Sequence, residues 1–195
     1  MNRTIFALLV CLLGLACDQT AASDVFPRPE NRSDEFRYRQ WYPPILEVMR
    51  EPSLWQQRNA QIEQYRFLYL PSFHQQISVR VTNSSGTITL RATQLDGHRG
   101  WSLATERNRV LTSKEWARFQ TLLGRAGYWT TLRSDPEGGI DGSQWVLEAS
   151  GVGRYRIVEH HSPPSETRQR GLGPFVAVCK YLLRLSDLTL DERLY

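Results

Sequence analysis

The sequence predicts an α+β domain in which an antiparallel sheet of about five strands is covered on one face by two helices. Residues 77–92 alternate apolar and polar side chains on both sides of a glycine-containing turn, which is the pattern of a β-hairpin, and residues 145–150 and 154–160 flank a second turn that contains two glycines. Residues 116–126 and 175–185 place apolar side chains three or four positions apart, as an amphipathic helix does. The order of these patterns along the chain is β-β-β-α-β-β-α.

The first strands are predicted before the first helix. The run 66–70 is rich in residues that favour strands. Residues 77–82 and 87–93 flank a turn and form the first hairpin, and residues 101–111 supply the third strand. One face of this sheet is apolar and the other is polar, so we expect the polar face to be open to water.

The helices and the second hairpin complete the domain. Thr112 and Glu115 form a capping box, in which each side chain bonds the backbone N–H of the other residue. Gly124 and Gly127 end the helix that follows. The second hairpin turns at residues 151–153 and precedes the last helix. The globular domain is therefore predicted to span residues 65–190.

The chain before this domain has a different character. Residues 45–64 are predicted as a weakly helical lead-in that Pro52 interrupts. Residues 18–40 are rich in charge, proline and serine, so they bury too little apolar surface to order themselves. Residues 17–44 are therefore predicted to be a flexible tether, in which only the aromatic and proline stretch 41–44 docks onto the domain.

The first residues have the pattern of a signal peptide. Arg3 precedes an uncharged apolar run over residues 5–15, and Cys17 follows Gly-Leu-Ala. The run is shorter than the roughly 20 residues that cross a bilayer and fits a signal peptide. This arrangement resembles the lipoprotein signal of bacteria. The resemblance implies a signal peptide over residues 1–16, acylation of the Cys17 thiol, and attachment of the mature chain to a bilayer of the cell envelope, facing the periplasm.

A second cleavage site stays open. Ordinary signal peptidase would cut after the small residues Ala21 and Ala22 and release a soluble secreted protein. The cysteines favour lipidation, because Cys11 leaves with the signal peptide and an acylated Cys17 leaves Cys179 without a disulfide partner. A stable anchor takes at least two acyl chains, and bacterial lipoproteins usually carry two or three.

Composition limits the function classes. The chain is 41% hydrophobic, which is enough for a packed core and excludes wholesale disorder. Its net charge of +4 is mild and its arginines are scattered, so no nucleic-acid partner is predicted. The four histidines lack the H-E-x-x-H spacing of a zinc site, and no metal or other cofactor is predicted.

Catalytic residues are not assigned. Glu159, His160 and His161 form the densest titratable cluster, but neighbours on a strand point to opposite faces of the sheet. Ser143 follows an Asp-Gly turn and lacks the G-x-S-x-G pattern of a nucleophile elbow. The alternative function is a small envelope hydrolase that uses His160 or His161 with Glu159, Asp141 or Ser143. It requires these groups within about 3 Å of one another, and any approach of His74 or His98 to them depends on the tertiary fold.

The leading hypothesis is a membrane-anchored, non-enzymatic binding module. Arginine and tryptophan are frequent at the centres of interfaces, which singles out a partner-binding set made of Trp101, Trp145, Arg80, Arg91 and His74. Residues 66–70, 73–74 and 141–145 make the domain similar to small α+β lipoproteins of Gram-negative bacteria, a resemblance that implies no particular activity. The expected partner is an envelope protein or the cell wall, as for an immunity, inhibitor or envelope-assembly accessory lipoprotein.

Overall fold

A computed structural model describes residues 24–97, 102–135, 141–165 and 167–188. Its centre is a six-stranded antiparallel sheet with the strand order β4-β3-β2-β1-β5-β6. The strands are β1 Glu63–Pro71, β2 Ile77–Ser84, β3 Thr87–Asp96, β4 Ser102–Val110, β5 Ser143–Gly151 and β6 Arg154–His161. The predicted α+β class is confirmed, but four strands instead of three precede the first long helix, so the sheet has six strands instead of about five.

The helical segments lie on both faces of the sheet. They are α1 Arg32–Glu35, a π-helical stretch Phe36–Trp41, α2 Tyr42–Val48, α3 Ser113–Arg125 and α4 Gly173–Leu185. Only α3 and α4 correspond to the two helices that the sequence predicts. Within the described residues, no helix has both the length and the apolar character needed to cross a membrane.

The first face of the sheet packs against α3 and α4. Tyr65, Phe67 and Tyr69 of β1 point to this side and are buried with Phe119 of α3 and Phe175 of α4. The predicted capping box is confirmed at the start of α3. The hydroxyl of its threonine accepts from the glutamate N–H at 3.2 Å, and the glutamate carboxylate accepts from the threonine N–H at 2.8 Å.

The second face is covered too, so the expectation of an open polar face is wrong. Phe26, Tyr42 and Ile45 are buried in an apolar layer with Leu68 of β1 and Val146 of β5. The flexible tether predicted over residues 17–44 is therefore wrong for residues 24–44. The segment is polar on average, but a few apolar side chains within it pack together on the sheet and hold it there. Residues 17–23 lie outside the described residues.

The lead-in is helical over only part of its predicted length. The last helix of the N-terminal segment ends at Val48, and turns and loops carry the chain from there to β1. The docking predicted for residues 41–44 is confirmed by Tyr42, which is fully buried. We call residues 24–62 the N-terminal layer. The packed domain thus includes the described residues from 24 onwards and does not begin at residue 65.

Buried ion pairs attach the N-terminal layer to the sheet. Glu51, whose side chain is fully buried, accepts from Arg80 Nε at 2.8 Å and from Arg91 Nη1 at 2.5 Å. Arg66 of β1 is also fully buried, pairs with Glu148 of β5 and donates to the Pro52 carbonyl oxygen at 2.6 Å. A charge buried in this way needs its partner, because an uncompensated buried charge is strongly destabilising.

Candidate functional site

Three loops meet at one end of the sheet and enclose a cleft of about 390 Å³. They are the β1–β2 loop, residues 141–142 before β5, and residues 162–165 after β6. Antiparallel pairing brings these loops together, since β1 ends where β5 begins and where β6 ends. The residues that line the cleft are Phe73, His74, Asp141, Gly142, Ser162 and Ser165. We call it the His74 cleft.

Backbone hydrogen bonds fix the walls of the His74 cleft. Ser72 N–H donates to the Gly142 carbonyl oxygen at 2.9 Å, which ties the first loop to the second. Ser162 N–H donates to the Ser143 carbonyl oxygen at 2.7 Å, and the Ser162 hydroxyl accepts from Ser143 N–H at 3.1 Å, which ties the second loop to the third. The polar groups of the cleft are therefore held at fixed positions relative to one another.

Two residues of the cleft have unusual backbone conformations. Ser162 has a φ of 40°, in the left-handed region that non-glycine residues rarely adopt, at a typical cost of about 1–3 kcal/mol. Gly142 has a φ of 132°, and a Cβ atom there would clash with Ser162 Oγ and lie 2.8 Å from His161 Nε2. Strain of this kind is concentrated at functional sites.

His161 stands beside the cleft. Its Nε2 lies 3.1 Å from the carbonyl oxygen of Asp141, so this nitrogen carries a proton and donates to it. Arg170 Nη1 donates to the His161 carbonyl oxygen at 2.9 Å, and the other end of this guanidinium pairs with Asp135 at 2.8 Å. The end of β6 is thus attached to the loops on both sides of it.

His160 points the opposite way, as the alternation of a strand requires. It is 1% exposed, and its ring centroid lies 4.6 Å from that of Phe175 in α4. Neither ring nitrogen has a hydrogen-bond partner within the described part of the chain. Burial, helped by the charge of Arg170, lowers the pKa of His160 to about 4. The ring is therefore neutral at pH 7.

Glu159 faces the N-terminal layer. Its Oε2 lies 2.7 Å from Arg37 Nε and accepts from the Tyr42 hydroxyl at 3.2 Å. Burial raises the pKa of this carboxyl, and the neighbouring Tyr38 hydroxyl and Arg37 charge oppose that effect. The side chains of the Glu-His-His cluster therefore go to three places: the N-terminal layer, the core beneath α4, and the rim of the cleft.

The arrangement required by the hydrolase alternative is not formed among the described residues. Ser143 is buried and its hydroxyl accepts from Trp145 Nε1 at 2.9 Å. Asp141 meets His161 through a carbonyl oxygen and not through its carboxylate. His160 has no hydrogen bond with which to take a proton from a serine. Only Asp141 among the proposed catalytic residues lines the cleft.

The predicted partner-binding set is also divided. His74 lines the cleft. Trp145 is 0% exposed and fills the core, where its indole N–H is satisfied, so it is not available to a partner. Arg80 and Arg91 bind Glu51 of the N-terminal layer, because the face predicted to be open is covered. Trp101, Cys17 and His98 lie outside the described residues.

Sequence reasoning did not single out Phe73 as a binding residue or the two serines of the cleft. Phe73 is 75% exposed in a loop, and single-residue hydrophobicity predicts burial for it. Ser162 and Ser165 flank two prolines in a polar loop, a pattern that predicts only a turn. The relevant signal was the pairing of an aromatic residue with a histidine immediately after a strand that ends in proline.

The cleft can bind a ligand that is both apolar and rich in hydroxyl groups. The Asp141 carboxylate accepts hydrogen bonds, the serine hydroxyls donate and accept, and the His74 imidazole does either according to its tautomer. The Phe73 ring offers an apolar face beside them. No group of three or more His, Cys, Asp or Glu side chains in the described ranges is arranged to hold a metal ion. No protein-family model matches the chain, and no curated protein matches it either.

Proposed function

We propose that the protein is a lipid-anchored, non-enzymatic binding module of the bacterial cell envelope, and that the His74 cleft binds a saccharide of the cell wall. The observation that carries this proposal is the Phe73 ring, which is 75% exposed beside a cleft lined by a carboxylate, an imidazole and two serines. Pockets that combine an apolar surface with a few fixed polar groups are typical ligand sites.

The chemistry of the cleft suits a sugar ring. The C–H groups on one face of a pyranose pack on an aromatic ring, while its hydroxyls need hydrogen-bond partners at the edge. Phe73 supplies the ring, and Asp141 and Ser162 supply fixed acceptors and a donor. An exposed phenylalanine that stays in water loses the benefit of burial, so a ligand that covers it gains free energy.

Titration of the mature chain with cell-wall oligosaccharides tests this function. The Phe73→Ala variant is expected to bind about tenfold more weakly, which corresponds to about 1.4 kcal/mol. Phe36→Ala is the matched control, because Phe36 is 54% exposed and lies in the N-terminal layer. Equal affinities of the Phe73→Ala variant and the wild type would contradict the assignment of the cleft.

Membrane attachment is a separate part of the proposal. Acylation at Cys17 would leave the six residues 18–23 between the lipid and residue 24, which span at most about 25 Å. The domain would then stay close to the bilayer surface. Palmitate labelling with membrane fractionation tests this: Cys17→Ser is expected to lose the label and release the chain. If the wild type and Cys17→Ser do not differ in label or in membrane association, acylation of Cys17 is contradicted, and cleavage near Ala22 with secretion becomes the alternative.

A protein partner is the second candidate, and the free edge of β4 favours it. Within the described residues β4 pairs only with β3, and Val110 at its end is 64% exposed. An unpaired strand edge can accept a strand from another protein, which is one way for an immunity, inhibitor or assembly-accessory protein to bind its target. Capture of an envelope protein that Val110→Lys abolishes and Phe73→Ala leaves intact would support this candidate over the first.

A further inference from the structure

A second pocket of about 330 Å³ lies between the N-terminal layer and the sheet. It is separate from the His74 cleft and shares no lining residue with it. The residues that matter for its chemistry are Arg28, Asp34, Arg37, Tyr38 and Glu159. Four of these five belong to the segment that covers the second face of the sheet.

The pocket contains a buried carboxylate with one unused oxygen. Glu159 is 1% exposed and lines the pocket. Its Oε2 is ion-paired with Arg37 at 2.7 Å and accepts from the Tyr42 hydroxyl at 3.2 Å, and the Tyr38 hydroxyl also interacts with this carboxyl. Its Oε1 has no hydrogen-bond partner among the residues that the structure describes. Buried polar atoms are nearly always hydrogen-bonded, so this oxygen is an acceptor available to a ligand that enters the pocket.

The charges around Glu159 favour a cationic donor. Arg37 Nη2 pairs with Asp34 at 2.5 Å, so one guanidinium is shared by two carboxylates. The three groups together carry one net negative charge when ionised. A neutral donor would satisfy Oε1 and leave that charge uncompensated. Arg28 and Glu30, both exposed, add one charge of each sign at the rim of the same pocket, so its net charge stays at minus one when all groups are ionised.

We infer that this pocket binds a primary ammonium group of a small zwitterionic ligand, with the ammonium on Glu159 Oε1 and the ligand's anionic group near Arg28. An ammonium has three N–H donors and a compact charge, which a carboxylate oxygen can accept directly. A free amino acid and a phosphoethanolamine headgroup share this chemistry, and titration distinguishes them. The described residues offer no cluster suited to a metal ion.

Calorimetric titration of the mature chain in a non-ionic detergent tests the inference. The probes are alanine, glycerophosphoethanolamine and glycerophosphocholine, of which the last keeps a positive charge without any N–H. We expect one or both ammonium probes to bind at least tenfold more tightly than glycerophosphocholine. Alanine alone would identify an amino-acid site, and glycerophosphoethanolamine alone a headgroup site.

Three variants link that binding to the pocket. Glu159→Gln is expected to weaken binding at least tenfold, and Arg28→Ala, an exposed change that leaves the core untouched, is expected to weaken it several-fold. Glu47→Gln, exposed on α2, is the control and should bind as the wild type does. If Glu159→Gln fails to fold, the affinity of Arg28→Ala for the ammonium probes tests the inference. No binding of either ammonium probe, equal binding of glycerophosphocholine, or unchanged binding by the folded variants would overturn the inference.

Discussion

At the scale of single residues, burial and not sequence proximity decides what each polar group does. His160 and His161 are neighbours in the chain, yet one is enclosed by the core and the other bonds a loop carbonyl at the cleft. Glu159 is balanced by Arg37 from a segment far away in sequence. The chemistry of each residue therefore follows from the layer that its side chain enters.

His160 makes the stability of the domain sensitive to acid. Its pKa of about 4 in the folded state lies below the ordinary histidine value of 6.5, so folding favours the neutral ring. The stability this contributes is present above pH 6.5 and is lost as the pH falls from 6.5 towards 4. The His160→Leu variant is expected to lack this loss, which amounts to about 3 kcal/mol on reaching pH 4.

Urea denaturation of both proteins between pH 7 and pH 4 measures this difference. Carboxylates such as Glu148, whose pKa is raised by burial, also titrate on acidification, so the comparison between the two proteins carries the result. His161→Leu, which changes the half-buried neighbour at the cleft, is the control. Parallel stability profiles for wild type and His160→Leu would show that the buried imidazole does not sense pH.

At the scale of elements, caps and buried charges hold each segment in place. The capping box fixes the start of α3, and Arg109 adds an ion pair to the same glutamate at 2.9 Å. Hydrogen bonds from Arg109 and from the Thr112 N–H lower the pKa of Glu115 to about 2. Glu51 fixes the position of the N-terminal layer in a similar way, because it binds two arginines of the sheet.

Removal of the cap should destabilise the domain modestly. Thr112→Ala removes the acceptor for the Glu115 N–H, and the expected loss is about 1 kcal/mol in the free energy of unfolding. Thr121→Ala, on the exposed side of the same helix, is the matched control and should cost less than half as much. Thermal or urea denaturation measures both. An equal loss of unfolding free energy in the two variants would show that the Thr112 cap does not stabilise the helix.

Removal of the buried carboxylate should have a larger effect. Glu51→Ala leaves the charges of Arg80 and Arg91 without their shared partner, at an expected cost of about 3–5 kcal/mol. Limited proteolysis should then cut first within residues 24–62, since that layer loses its attachment to the sheet. Glu47→Ala on the exposed face of α2 should change neither measurement. Resistance of Glu51→Ala to protease at the wild-type level would contradict this role.

At the scale of the whole molecule, the protein has three layers rather than two. Helices α3 and α4 cover one face of the sheet, and the N-terminal layer covers the other. The sheet is therefore buried on both faces along β1 and β5, where seventeen of the eighteen strand residues are buried and Glu63 is partly exposed. The loops at the sheet end remain accessible and form the His74 cleft.

Truncation distinguishes the three-layer fold from the predicted two-layer fold. A chain that starts at residue 24 should unfold with the cooperativity and midpoint of the mature protein. A chain that starts at residue 63 exposes Leu68, Leu70 and Val146 and loses Glu51, so it should fail to fold cooperatively. Circular dichroism and thermal denaturation measure both. A stable, cooperative domain from the shorter chain would contradict the role of the N-terminal layer.

The sequence predicts local structure better than it predicts the layer or the site. The two hairpin turns and the Thr112–Glu115 box depend on neighbouring residues, and the structure confirms them. Phe26 and Arg37 sit in a polar stretch, and what buries them is a sheet far along the chain. His74 and Asp141 likewise reach one cleft only through the pairing of β1 with β5, which local pattern does not encode.

The central claim is that the His74 cleft is the ligand site, and amide chemical-shift mapping tests it most directly. The mature, isotope-labelled chain is titrated with a cell-wall oligosaccharide, with a neutral glucose oligosaccharide as the control. The proposal predicts that the shifted amides cluster in residues 72–76, 141–142 and 162–165 and that Phe73→Ala abolishes the shifts. Shifts confined to the β4 edge or to the Glu159 pocket, or no saturable shift at all, would contradict the claim.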